Sequence, residues 1–371
     1  MIFSTYQSIE IVAEAQRELL NKTQGAFGGF DFIVCDEAHR TTGVKISAKD
    51  ESHFTKVHDN EIIQGKKRLY MTATPRLYAP SAKTKAQQDN LILCSMDDPA
   101  IYGEEFYRVN FAYAVREGIL TDYKVLVLTI SEDQIPPELL EQIKDDELKE
   151  LNYDDTAKLI GVINALSKKL YGDNGLTWRA DPRPMRRALA FTHKIGSVNE
   201  PGTSKNIAEV FPRVSQTYNK SLAVDEQGQM VRVATRHVDG SMGASTRQEA
   251  LAWLAEESED PQECRIITNV RCLSEGVDIP ALDAVLFLSA RNSQVDVVQS
   301  LGRVMRSFRR GEPDEKKYGY VIIPVVIPEG GSPEEALQGN AFATVWSTLN
   351  ALRAHDDHFN AIVNSIELNV N

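Results

Sequence analysis

The sequence predicts an α/β protein with two parallel-sheet lobes, the first of them incomplete, followed by a helical C-terminal tail. Two observations carry this prediction. Short runs that are apolar on both faces, such as "YKVLVLTI" (123–130) and "YGYVIIPVVI" (318–327), fit strands covered on both sides. Stretches with helical apolar spacing, such as "STRQEALAWLAEE" (245–257), separate most of these runs. Strand–helix alternation of this kind places parallel strands in one sheet with helices on its faces.

Taken in order, "IEIVAEAQRELL" (9–20) has the spacing of an amphipathic helix. "FDFIVC" (30–35) reads as a buried strand between glycines and an acidic pair, and "RLYMTATP" (68–75) as a second strand ending at Pro75. The pattern restarts near residue 121 with the strand over 123–130. Two helical stretches follow, "PPELLEQIKDDELKEL" with a solvated acidic face and "AKLIGVINALSKKLY". Further strands are "RRALAFT" (186–192), "VRVATRHVDG" (231–240), "CRIITNV" (264–270), "LDAVLFL" (282–288) and the run at 318–327. "PEGGSPEEALQGN" (328–340) is a loop, and the helical tail spans 341–363, packing on the second lobe. The expected organisation is a first lobe over 1–120, a second over 121–330 and a tail over 331–371.

A length of 371 residues accommodates two domains, and 42% hydrophobic with 25% charged residues is the balance of a soluble globular protein. The four cysteines form no CxxC pair, which reads as buried free thiols in place of disulfides or a zinc cage. No apolar run reaches transmembrane length, and the first residues lack the pattern of a secretory signal. A cytoplasmic location with no membrane partner is therefore expected. A net charge of −12 argues against a wholly basic surface that coats nucleic acid, and leaves only local strips such as "RVMRSFRR" (303–310).

The chemistry concentrates in "FDFIVCDEAHRTTG" (30–43). Asp36 falls at the carboxyl end of a strand, where open α/β sheets place their ligands. A carboxylate there can hold Mg²⁺, and Glu37, alternating to the other side, can orient an attacking water. Thr72 and Thr74 stand at the end of the next strand. Thr268 precedes a Gly-Val-Asp turn containing Gly276 and Asp278. "QSLGRVMR" spaces Gln299, Arg303 and Arg306 on one helical face, and two arginines there can meet charge developing on a γ-phosphate. A solvated turn, a glycine turn, a Thr-capped strand or a basic helix explains each feature alone. None explains the ordered set. A metal cluster of Asp36, His39, His53 and His58 lacks HExxH spacing and is the weaker alternative.

The motifs and their order resemble superfamily 2 helicases and translocases, a family with two RecA-like lobes. "DEAH" resembles motif II, "TAT" (72–74) motif III, "LAFTHKI" (189–195) motif IV, and "HVDGSM" (237–242) motif IVa. "ITNV…SEGVDIP" and "QSLGRVMR" resemble motifs V and VI, and "FSTYQS" (3–8) the nucleic-acid-contacting segment before motif II. More narrowly, "CDEAHRTTG" and "LNALRAHDD" (349–357) resemble the helicase portion of type ISP restriction-modification enzymes. The resemblance implies ATP and Mg²⁺ as cofactors and nucleic acid, DNA ahead of RNA, as partner. Asp36 would bind Mg²⁺, Glu37 would activate the hydrolytic water, and His39 would couple them to Gln299. Thr72 and Thr74 would link nucleotide state to contacts between the lobes. Asp278, after Gly276, would approach the ribose, and Arg303 and Arg306 would complete the site. Thr5, Thr192 and Thr268 would grip the nucleic-acid backbone, which gives position and not sequence reading.

The family's phosphate-cradling loop, GxxxxGK[ST], occurs nowhere in the 371 residues. "KTQGAFGGF" (22–30) lacks the Gly-Lys-Ser/Thr and leads into a strand. The expectation is the C-terminal part of a larger motor, with a missing N-terminal segment or further domains as partners. Such a chain hydrolyses no ATP at a useful rate alone, and its short first sheet exposes an edge and apolar surface. The alternative is a nucleic-acid-binding or assembly module without turnover.

Overall fold

The computed structural model describes residues 1–24, 27–45, 53–89, 91–131, 135–137, 139, 141, 152–169, 181–270, 279, 281–289, 294–312, 315–327 and 343–353. Two compact units divide the chain, Met1–Arg108 and Val109–Asn371.

In the first unit, helix α1 (Ile9–Lys22) buries Ile9, Ala13 and Gln16, positions spaced four and three residues apart on one face. The Gln16 amide acts as a substitute for backbone. It donates to the Gln64 carbonyl and accepts from the Gln64 N–H, both at 2.8 Å, and so fixes α1 against the start of a strand. The strands are β1 (Phe30–Cys35), β2 (Gly43–Lys45), β3 (Gly65–Tyr70) and β4 (Ile92–Cys94). β1 and β3 pair in parallel, with Phe30 opposite Gly65 and Cys35 opposite Tyr70, while β2 and β4 pair antiparallel. Helices α2 (Pro80–Gln88) and α3 (Pro99–Tyr102) each carry proline in the first turn, where a missing N–H leaves no bond unmade.

Two sequence expectations change here. The strand expected over 68–75 is shifted, because β3 stops at Tyr70 and the Thr72 hydroxyl accepts the Thr74 N–H at 3.1 Å, folding "TAT" into a turn. β1 is also not buried on both faces. Its pairing with β3 makes a two-stranded sheet, and Phe32 and Val34 stay 55% and 51% exposed. Cys35, Cys94 and Cys264 are buried free thiols; Cys272 lies outside the described residues.

The second unit runs through α4 (Phe111–Arg116), β5 (Asp122–Ser131), α5 (Tyr153–Leu166), β6 (Arg187–Phe191) and α6 (Ser204–Ser221). It continues with β7 (Arg232–His237), α7 (Ala244–Ala255), β8 (Glu263–Asn269), β9 (Ala284–Phe287), α8 (Gln294–Val304), β10 (Tyr318–Ile327) and α9 (Ala343–Arg353). Its sheet has the order β5-β10-β9-β6-β8-β7, and every pair is parallel. The chain is thus mixed α/β, with a six-stranded RecA-like parallel sheet in the second unit and a smaller parallel pair in the first. β10 is the spine of the larger sheet, and all but one of its residues are buried. One face packs α5 and α6, through Leu159, Ile163 and Phe211, onto Leu286 and Ile322. The other packs Leu301 of α8 and Leu352 of α9 onto Val285 and Ile323, so the described part of the tail joins this core. The acidic helix expected over 136–151 lies mostly outside the described residues. Among the described residues, no helix is long and apolar enough to cross a membrane.

Gly319 sits where β10 passes the end of α8, and a Cβ there would stand 2.3 Å from the Val304 carbonyl oxygen. That oxygen belongs to backbone and cannot rotate away. Gly319→Ala should therefore destabilise the second unit by about 1–3 kcal/mol, as overpacking does. Denaturant unfolding tests this, and an unchanged midpoint contradicts it.

Candidate functional site

At the end of β1 the chain turns sharply. Asp36 is exposed, and its Oδ1 accepts the Glu37 N–H at 2.9 Å. Glu37 has φ 48° and ψ 45°, the left-handed region that L residues other than glycine seldom enter. Non-glycine residues held there concentrate at functional sites, because the surroundings must over-determine them. The surroundings do so. The Met71 N–H donates to the Cys35 carbonyl and the Ala38 N–H to the Met71 carbonyl, both at 2.9 Å, lacing the two chain segments together. The Tyr6 hydroxyl donates to the Asp36 carbonyl at 2.7 Å.

A 3₁₀ turn, Ala38–Thr41, then carries His39 inward. Its Nδ1 lies 3.0 Å from the Thr72 hydroxyl and 3.4 Å from Glu37 Oε2. Glu37 and His39, together with the distant Thr72, thus form one contiguous polar group. Thr74 is buried beside them, and its hydroxyl has no hydrogen-bond partner among the described residues. Thr5 is exposed and donates to the Ser8 hydroxyl. The donor chemistry of exposed Asp36 and half-buried Glu37, hard carboxylate oxygens at a strand end, suits Mg²⁺, a hard cation that retains several waters.

The histidines of the weaker alternative do not converge. His58 contacts the Tyr70 hydroxyl and the Thr41 carbonyl, and His53 lies against Glu10. Among the described residues, no group of three His, Cys, Asp or Glu side chains could hold a metal.

In the second unit, Thr192, His237 and Thr268 stand at the carboxyl ends of β6, β7 and β8. Thr268 is fully buried, its hydroxyl donating to the Ser204 carbonyl at 2.8 Å and accepting from Ser204 Oγ at 3.1 Å. Ser204 Oγ also lies 2.8 Å from His237 Nδ1, and His237 Nε2 lies 3.0 Å from Asp239 Oδ2. This has the connectivity of a hydrolase triad, but Ser204 is fully buried and cannot reach a substrate. The chain is a scaffold that locks two strand ends, those of β7 and β8, to the start of α6. Sequence reading missed Ser204 and Asp239; the only available signal was His and Asp two apart after a strand. Thr192 is buried, its hydroxyl donating to the Lys194 carbonyl.

Gln299 and Arg303 lie in α8, Gln299 half-buried and Arg303 buried. Arg306 does not share their helical face, which corrects the spacing argument. The helix ends at Val304 because the Thr121 N–H takes the Met305 carbonyl at 2.7 Å, and Arg306 forms an antiparallel bridge with Leu120. The Lys316 ammonium holds the Arg306 carbonyl at 2.8 Å, and Arg310 donates to the Gly118 carbonyl. Gly118, at φ +64°, leaves no room for a Cβ beside that guanidinium. Gly276 and Asp278 lie outside the described residues.

Residues 207–308 match the family described as helicase conserved C-terminal domain, and residues 1–77 match that described as type III restriction enzyme, res subunit. Over 98% of its length the chain is similar to the ATP-dependent type ISP restriction-modification enzyme LlaBIII bound to DNA, at 43% identity and TM-score 0.76. The superfamily 2 helicase core is present in this chain. A nuclease-deletion mutant of the type ISP enzyme LlaGI, in complex with a DNA substrate mimic, is similar at 34% identity and TM-score 0.53 over 98% of the chain. "Probable helicase A859L" of African swine fever virus (strain Badajoz 1971 Vero-adapted) is 22% identical over 97% of the chain. The chain spans 22% of the LlaBIII chain, 20% of the LlaGI chain and 31% of the viral protein.

Two outcomes follow from the helicase core's geometry. Replacing Glu37 by glycine removes the left-handed cost, about 1–2 kcal/mol, and adds glycine's backbone entropy. Glu37→Gly should stabilise the first unit by about 0.5–1 kcal/mol in chemical unfolding; a loss of stability contradicts this. Hydrogen bonds from Ser241 and then His237 hold the Asp239 carboxyl well below the usual carboxylate range. A depressed folded pKa gives stability that is complete above the unfolded value, about 3.9, and lost as pH falls through the folded value. Asp239→Asn should flatten the pH dependence of Tm below about pH 4, and an unaltered acid slope contradicts the assignment.

Proposed function

We propose that the chain forms part of an ATP-dependent DNA helicase or translocase motor of a restriction-modification-like system. The observation that carries this is the carboxylate pair Asp36–Glu37, held in a strained turn and joined through His39 to Thr72. The similarity to LlaBIII, itself ATP-dependent and bound to DNA, supports ATP as cofactor and DNA over RNA as partner. Mg²⁺, when bound with ATP, neutralises phosphate charge. Asp36 would hold the metal through a carboxylate oxygen, and Glu37 would orient a water and accept its proton. His39 holds Glu37 against Thr72, and with Thr74 and Gln299 passes nucleotide state between the lobes. Arg303 and Arg306 bring positive charge from the second lobe, and Gly276 with Asp278 approaches the ribose. Thr5 and the strand ends carrying Thr192 and Thr268 grip the nucleic-acid backbone. In this reading the lobes run 1–120 and 121–330 with the tail over 331–371, and the location is cytoplasmic.

We also infer that the 371 residues alone do not turn over ATP at a useful rate. They contain no GxxxxGK[ST], so the backbone N–H groups and lysine that neutralise the β- and γ-phosphates come from outside them. The same absence favours a second reading, a nucleic-acid-binding or assembly module without turnover.

ATPase assays with single- and double-stranded DNA test the inference. Background turnover insensitive to Glu37→Gln is expected; robust DNA-stimulated turnover abolished by that substitution would refute it. DNA affinity that shifts with an ATP analogue supports the motor reading, and affinity indifferent to the analogue supports the module.

A further inference from the structure

A cavity of about 270 Å³ opens at the amino ends of β6, β9 and β10, the edge of the sheet opposite Thr192, His237 and Thr268. None of the helicase motifs accounts for it. In a protein of net charge −12, seven cationic side chains line this cavity against three carboxylates. Asp181 is matched by Lys168 at 3.0 Å and by the Tyr320 hydroxyl at 2.8 Å, and Glu257 by Arg309. Asp283 is enclosed and accepts the N–H groups of Arg186 and Arg187 at 2.8 and 3.0 Å.

The arginines are held differently. Arg183 donates to the Glu315 carbonyl, Arg186 to those of Ser258 and Asp260, and Arg187 to that of Leu254. Carbonyl dipoles fix a guanidinium in place without cancelling its charge. Lys316 likewise reaches the Leu282 and Arg306 carbonyls at 2.7 and 2.8 Å. Positive charge is thereby pre-positioned around an open volume, with Arg183 exposed at its rim and Lys317 beside it in an ion pair with Glu315 at 3.1 Å.

We propose that this cavity binds a phosphate-class anion. Several guanidinium forks and ammonium groups converging on one space match an oxyanion with many acceptor lone pairs better than a single carboxylate. Burial supports this independently, since it pushes Lys168 and Lys316 down to about 8, a cost that a bound anion relieves. Asp181, Asp283, Lys124 and Tyr320 surround Lys168, and Asp283 faces Lys316.

The test is calorimetric titration of the 371-residue chain with inorganic pyrophosphate, without Mg²⁺, at fixed ionic strength. Saturable 1:1 binding is expected at pH 7, weaker at pH 9 as the two lysines discharge. The double reversal Arg183→Glu with Lys317→Glu, at exposed positions that leave folding intact by circular dichroism, should weaken it at least tenfold. Asp36→Asn with Glu37→Gln should leave it unchanged. Absence of saturable binding, indifference to the rim reversal, or loss in the Asp36/Glu37 variant overturns the proposal. Competition by a 5′-phosphorylated oligonucleotide, and not by its unphosphorylated twin, supports the site with a nucleic-acid end as source. Competition by neither supports it with a free phosphate compound as source.

Discussion

Everything in the second unit depends on the uniform direction of its six strands. Parallel pairing forces each connection to cross the sheet, and so provides the helices that cover both faces. It also sorts the side chains by edge. Residues that end or follow strands, such as Thr192, His237 and Asn269, collect at one edge; residues that precede them, such as Lys316 and Asp283, collect at the other. The Ser204–His237–Asp239 chain belongs to the first edge, and the basic cavity to the second. Arg306 lies past the end of α8, its backbone pairing with Leu120 just ahead of β5.

The first unit meets a different constraint. Its parallel sheet has two strands, too few to enclose β1, and its order comes from local lacing between Cys35, Ala38 and Met71. Local lacing is sufficient to hold Glu37 in a left-handed conformation while Phe32 and Val34 face solvent a few residues away. An unpaired edge beside exposed apolar side chains is a site for another strand to add.

Legibility in the sequence followed burial. β5 and β10 were readable because both faces are covered, which leaves continuous apolar runs. α6 left a poor trace, because Pro212 lies inside it and the helix continues past it through burial of Phe211, Val214 and Tyr218. β2 and β4, three residues each, are defined by their pairing alone. The acidic pair after β1 was legible as chemistry, since a strand end and two carboxylates are adjacent in sequence. The turn at Glu37, the shortened β3 and the displacement of Arg306 from α8 were not. Each depends on a backbone group from a distant segment, Met71 or Thr121 among them, and periodicity carries no information about such partners.

The β5–β10 pairing has a mechanical consequence. Ten consecutive residues align, Tyr318 with Asp122 through Ile327 with Ser131. Within this unit the chain enters β5 at its amino end and leaves β10 at its carboxyl end, before α9 packs back onto the core. Tension applied between those points loads the ladder in shear. All of its hydrogen bonds resist together, where a hairpin pulled from one end would yield them singly. The strand that forms the spine of the core is therefore also the element best placed to carry force through it.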